Sequence, residues 1–188
     1  ACHSLSDHAW PSLCDWNYDG YGDLLFGGGY GWPQIVINEG SRAQPAFAEP
    51  RRIEADGTPI RLVRNELLGE PHNGHDMGYP YPDFVDWDGD GLQVLVLPNE
   101  TNRIFWYSNV GTRAQPQFGP RRQIMCDNFP DSAELRELSA TRAADPQSNN
   151  GVYPYEPQQP FFWRTGAAFA DFNGDGLTDL VTHDGATR

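Results

Sequence analysis

The turn Asp171-Phe172-Asn173-Gly174-Asp175-Gly176-Leu177-Thr178-Asp179 carries oxygen-bearing side chains at positions 1, 3, 5 and 9 and a glycine at position 6. A sharp turn at position 6 needs positive φ, which glycine adopts at no steric cost. Closely spaced carboxylates plus one backbone carbonyl, that of Leu177, suit a hard cation taking roughly six to eight oxygens at about 2.3–2.6 Å, which is calcium. The pattern recurs at Asp15, Asn17, Asp19 and Asp23, with Tyr21 at the carbonyl position. It recurs again at Asp86, Asp88 and Asp90, with Leu92 at the carbonyl position and Val94 where the last carboxylate would stand. On that count the second loop is expected to bind more weakly than the first and third.

The residues that follow each loop exclude an EF-hand, which would place a bidentate Glu at position 12 and a helix on either side. Here the loops lead into Leu24-Leu25-Phe26, Leu95-Val96-Leu97 and Leu180-Val181-Thr182. Short apolar runs also precede them, as in Pro82 to Val85 and Ala167 to Ala170. These read as strands, so each calcium would tie the turn between two strands.

Charge supports this reading. The formal net charge is −13, and each loop holds three of the 26 acidic residues, so three bound calcium ions would bring −13 to −7. All thirteen basic residues are Arg, and an acidic surface repels phosphate backbones, so a nucleic-acid partner is not expected. No apolar run approaches the roughly 20 residues of a membrane span, and no signal peptide stands at Ala1, so a mature form or a fragment is expected. Calcium sites point outside the cell. Of the three cysteines, Cys2 and Cys14 could pair, leaving Cys126 odd.

Beyond the loops the chain repeats itself. Asp15 and Asp86, Asn38 and Asn109, Pro45 and Pro116, and Phe47 and Phe118 are each separated by the same 71 positions. Each unit holds four strand candidates: one before the loop, one after it, one ending in the Asn-x-Gly turn, and one around Arg51 to Ile53 or Arg121 to Ile124. Four antiparallel strands per repeat match a propeller blade. The succession D-x-[DN]-x-D-G-x-x-D-L and N-x-G-[ST]-x-x-x-P-x-F resembles the FG-GAP or VCBS repeat family of calcium-binding β-propellers. The resemblance implies a secreted all-β protein built of four-stranded blades: one about 10–53, a second about 82–124, and the start of a third from 167. Insertions fill about 54–81 and 125–166. Two blades and part of a third do not close a ring, so remaining blades, or self-association through exposed edge strands, are expected as partners.

If the calcium loops lie on one face, the second-to-third turns and the two insertions lie on the other. Long connections there are the expected place for function. The first insertion carries His72, His75, Tyr79 and Tyr81; the two His could serve as a base or simply be outward loop residues, and no zinc spacing is present. The second carries Tyr153, Tyr155, Trp163 and Arg164, whose rings could stack on sugars while the guanidinium pairs a uronate. The alternative is that Phe161 to Trp163 pack as a small satellite core. Gly27 to Gly31 follows a strand without opening a helix, and reads as a turn.

Three functions fit. The first is a module binding carbohydrate or an extracellular protein through Tyr79, Tyr81, Tyr155 and Trp163. The second is a polysaccharide lyase using His72 or His75, Tyr153 and Arg164, because β-elimination needs a base, an acid and a cation for the enediolate. The third is a structural unit of an extracellular assembly. Binding ranks first because it requires the fewest special residues.

Overall fold

The computed structural model describes residues 9–63, 78–99, 104–124 and 166–182. Within them the chain is all-β, with twelve strands and no helix. No helix among the described residues is long and apolar enough to cross a membrane. The first sheet is a meander of β1 (Trp10–Cys14), β2 (Asp23–Gly27), β3 (Gln34–Val36) and β4 (Arg51–Arg52), with every neighbouring pair antiparallel. The second contains the matching meander β7 (Asp83–Val85), β8 (Val94–Leu97), β9 (Phe105–Asn109) and β10 (Phe118–Gln123). A third is the antiparallel pair β11 (Ala167–Ala170) and β12 (Asp179–Thr182).

The period-2 alternation of strands fixes how the sheets stack. All four residues of β8 are buried: Leu95 and Leu97 enter a core shared with the first sheet, while Val94 and Val96 enter a second core shared with the third. The second sheet therefore lies between the other two. Trp16, Leu25, Ile35, Phe105 and Phe118 dominate the first core, and Trp87, Trp106, Phe169 and Leu180 flank the second.

Aromatic side chains repeat the same contact from sheet to sheet. Trp16, beside the first acidic turn, stacks on Phe84 of β7 at 4.7 Å, and Trp87, beside the second turn, meets Phe169 of β11 edge-on at 5.5 Å. Phe172 is the matching residue of the third turn and is exposed. Trp16 and Trp87 thus pack between successive sheets.

The Asn-x-Gly turns are also built alike. Asn38 Oδ1 accepts from the N–H groups of Gly40 and Ala46, and Asn109 Oδ1 from those of Gly111 and Gln117. A Cβ on Gly40 or Gly111 would lie 2.4 or 2.5 Å from a backbone carbonyl, so glycine is required there.

Residues 54 to 63 open the segment assigned from sequence to the first insertion. Glu54–Ala55 (β5) and Thr58–Pro59 (β6) form a two-residue hairpin around Asp56 and Gly57, whose φ values are +49° and +72°. β5 joins the free edge of β10 in parallel, and the Asp56 N–H donates to the Phe118 carbonyl at 2.9 Å. Ile60 and Leu62 then return to the first core.

Candidate functional site

The three acidic turns share one hydrogen-bond plan. The first Asp of each accepts at both oxygens from the turn it encloses: Asp15 from Asp19 and Gly20, Asp86 from Gly89 and Gly91, and Asp171 from Gly174, Asp175 and Gly176. The third residue, Asn17, Asp88 or Asn173, accepts from the N–H two positions on. The fifth, Asp19, Asp90 or Asp175, accepts from the N–H of Tyr21, Leu92 or Leu177 at 2.7 to 2.9 Å. These bonds aim side-chain oxygens inward and leave lone pairs unused, since an ionised carboxylate has roughly four acceptor sites. Gly20, Gly91 and Gly176, at position 6, take φ values of +85°, +88° and +87°, as the turn requires.

The ninth position differs between loops. Asp23 is fully buried, and its oxygens accept from the N–H groups of Trp16 at 2.8 Å and Asn38 at 2.7 Å, tying the turn to the segment that follows β3. Burial raises its pKa, opposed by those two bonds. Asp179 makes the corresponding bond to the Phe172 N–H at 2.9 Å. In the second loop Val94 is apolar and buried in the second core instead.

Among the described residues, one group of three carboxylates has ligand oxygens all within 4.8 Å of one another: Asp86, Asp88 and Asp90. The first and third loops place Asn at position 3, where Asn17 and Asn173 donate to Asp19 and Asp175. Every loop thus carries three carboxylates, but only the second gathers all of its own at positions 1, 3 and 5. The Asp171 carboxyl is held below the usual range, first by the Gly176 N–H.

Cys2, the possible partner of Cys14 from sequence, lies outside the described residues, and Cys14 carries a free thiol. Burial, reinforced by the charges of Asp23, Asp15 and Asp83, pushes its pKa up to about 12, which keeps it protonated and unsuited to metal ligation.

At the opposite end of the strands, where β1, β7 and β11 begin, a cleft of about 480 Å³ opens between all three sheets. Its walls include Trp10 and Tyr81, which meet edge-on at 5.7 Å, together with Ser12, Asp83, Ala167 and Thr182. Burial alone raises the Asp83 pKa to about 6. A larger cavity of about 580 Å³ lies at the outer edge of the first two sheets, with Arg51, Arg52, Glu54 and Asp56 putting both signs of charge on its wall.

Of the ligand residues expected from sequence, Tyr81 lines the cleft, while Tyr79 is half-buried with a φ of +40° and is not part of its wall. His72, His75, Tyr153, Tyr155, Trp163 and Arg164 lie outside the described residues. Trp10, Ser12 and Asp83 were not anticipated. Their signal was position: each lies in or beside the strand preceding an acidic turn, at the end away from that turn. No protein-family model, no curated protein and no solved structure matches this chain.

Proposed function

We propose that the chain is a calcium-stabilised, propeller-type binding module whose three acidic turns hold metal on one side and whose opposite side receives an extracellular ligand, with carbohydrate the best candidate. The observation that carries the metal reading is the threefold recurrence of one oxygen-lined turn, in which the N–H groups of positions 5, 6 and 7 donate alike to the side chains of positions 3, 1 and 5 and position 6 is a positive-φ glycine. Asp86, Asp88 and Asp90 are already gathered, which favours the second loop as the tightest site despite Val94. Preorganisation lowers the ordering cost that binding must otherwise meet.

Propeller architecture draws support from the four-stranded meanders and the repeated aromatic contact. One outer face of the stack presents Leu13, equivalent in register to Phe84 and Phe169, at 76% exposure. The other presents Phe172, equivalent to Trp16 and Trp87, with Val181 beside it. Further blades, or a second copy, would repeat the Trp16–Phe84 contact on those faces. The ligand reading rests on the aromatic cleft on the side away from the turns. Glycan-array binding with and without calcium tests it: saturable, calcium-dependent retention of an oligosaccharide is expected, and no retention of any glycan would sink the carbohydrate assignment.

A further inference from the structure

The cleft between β1, β7 and β11 has a chemistry that selects among sugars. Asp83 is the only charged side chain in its wall among the described residues. Among the described residues its carboxylate has no hydrogen bond or ion pair, although burial disfavours its charge. A half-buried ionised carboxylate without a partner is costly, and an incoming cation relieves that cost.

The wall hydroxyls point the same way. Ser12 Oγ donates to the Pro82 carbonyl at 2.8 Å, and Thr182 Oγ1 donates to the Gly166 carbonyl at 3.0 Å. Their protons are committed to the main chain, so each presents only lone pairs to the cleft. Apart from the Trp10 ring N–H and the Tyr81 hydroxyl, the polar side chains of the wall therefore offer acceptors. A ligand has to bring donors. The perpendicular rings of Trp10 and Tyr81 add one flat apolar face for a pyranose and a second π-system within reach of a cation.

The geometry points to an amino sugar with a free ammonium group, seated with its ring against Trp10 or Tyr81 and its nitrogen on Asp83. This inference rests on the carbohydrate reading and narrows it. An N-acetylated sugar loses the charge, and a uronate brings a second negative charge to a wall that already holds one. The volume of about 480 Å³ falls in the range of small-ligand pockets.

Titration calorimetry at pH 7 and low salt, with calcium present, compares four probes: a glucosamine tetramer, its N-acetylated counterpart, a galacturonate tetramer and butylammonium. The glucosamine tetramer is expected to bind about tenfold more tightly than the acetylated one, the galacturonate not at all. Asp83→Asn should abolish that tenfold preference, and its thermal midpoint reports that it is folded. Equal affinity for the two tetramers, or a preference that survives Asp83→Asn, overturns the inference and leaves the carbohydrate reading standing. Asp83-dependent binding of butylammonium with no binding of any tetramer overturns both.

Discussion

Two carboxylates respond to pH in opposite directions because their surroundings differ. Asp83 is half-buried without a partner among the described residues, so its folded pKa of about 6 lies above the ordinary 3.8. Below about pH 4 it is protonated in both states and costs nothing; as pH rises toward 6 the unfolded chain ionises first, and stability falls. Asp83→Asn is therefore expected to stabilise the fold by about 1–2 kcal/mol at pH 7, discounted for its partial exposure, and to change little at pH 4. Urea unfolding at the two pH values reads this directly, and an equal effect at both would contradict it. Asp171 has the opposite sign: its lowered pKa makes its bonds to the turn a source of stability that is present above the ordinary carboxylate range and lost as pH falls through its depressed value. Asp23 fills a third role. Asp23→Val imitates the second repeat but leaves the Trp16 and Asn38 N–H groups unpaired in a buried place, and should cost about 2–4 kcal/mol by thermal or urea unfolding. A loss under 1 kcal/mol would show that the second repeat's solution works equally well in the first.

Strands and turns were largely legible because their signals are local. The runs before and after the acidic turns became β1, β2, β7, β8, β11 and β12, and the residues ahead of Asn38 and Asn109 became β3 and β9. The β5–β6 hairpin was missed, although Asp56-Gly57 is a strong signal for a turn with two positive φ values. Its strands are only two residues long, and what holds them is the edge of β10, a contact that sequence spacing does not show. The role of Asp23 was hidden for the same reason, since Asn38 lies 15 positions away. Sheet stacking makes its own prediction. Trp16→Ala removes a ring buried between Phe84 and Phe118 and should cost about 3–5 kcal/mol, whereas Phe172→Ala, at an exposed equivalent position, should cost under about 1 kcal/mol. Comparable losses by thermal unfolding would contradict the proposed stacking order.

Across the whole molecule, the sheets form a directional stack in which the loop aromatic of one repeat caps the first strand of the next. Its two outer faces differ accordingly: one offers Leu13 as an acceptor, and the other offers Phe172 and Val181. Head-to-tail contact between copies would be heterologous, so association should rise with concentration and weaken on Leu13→Glu; sedimentation velocity distinguishes this from a chain that stays monomeric. The cleft between β1, β7 and β11 could not be read from sequence because three strands about 70 to 85 positions apart meet only when the sheets stack. The acidic turns could be read, since each is complete within nine residues. Everything proposed for this chain depends on those turns holding calcium. Chelator-treated protein titrated with calcium in a calorimeter, with the thermal midpoint followed in parallel, is expected to take up three ions per chain and gain about 2–3 kcal/mol per site near hundredfold saturation. Asp86→Ala should remove the tightest of the three. No heat of binding and an unchanged midpoint would contradict the account.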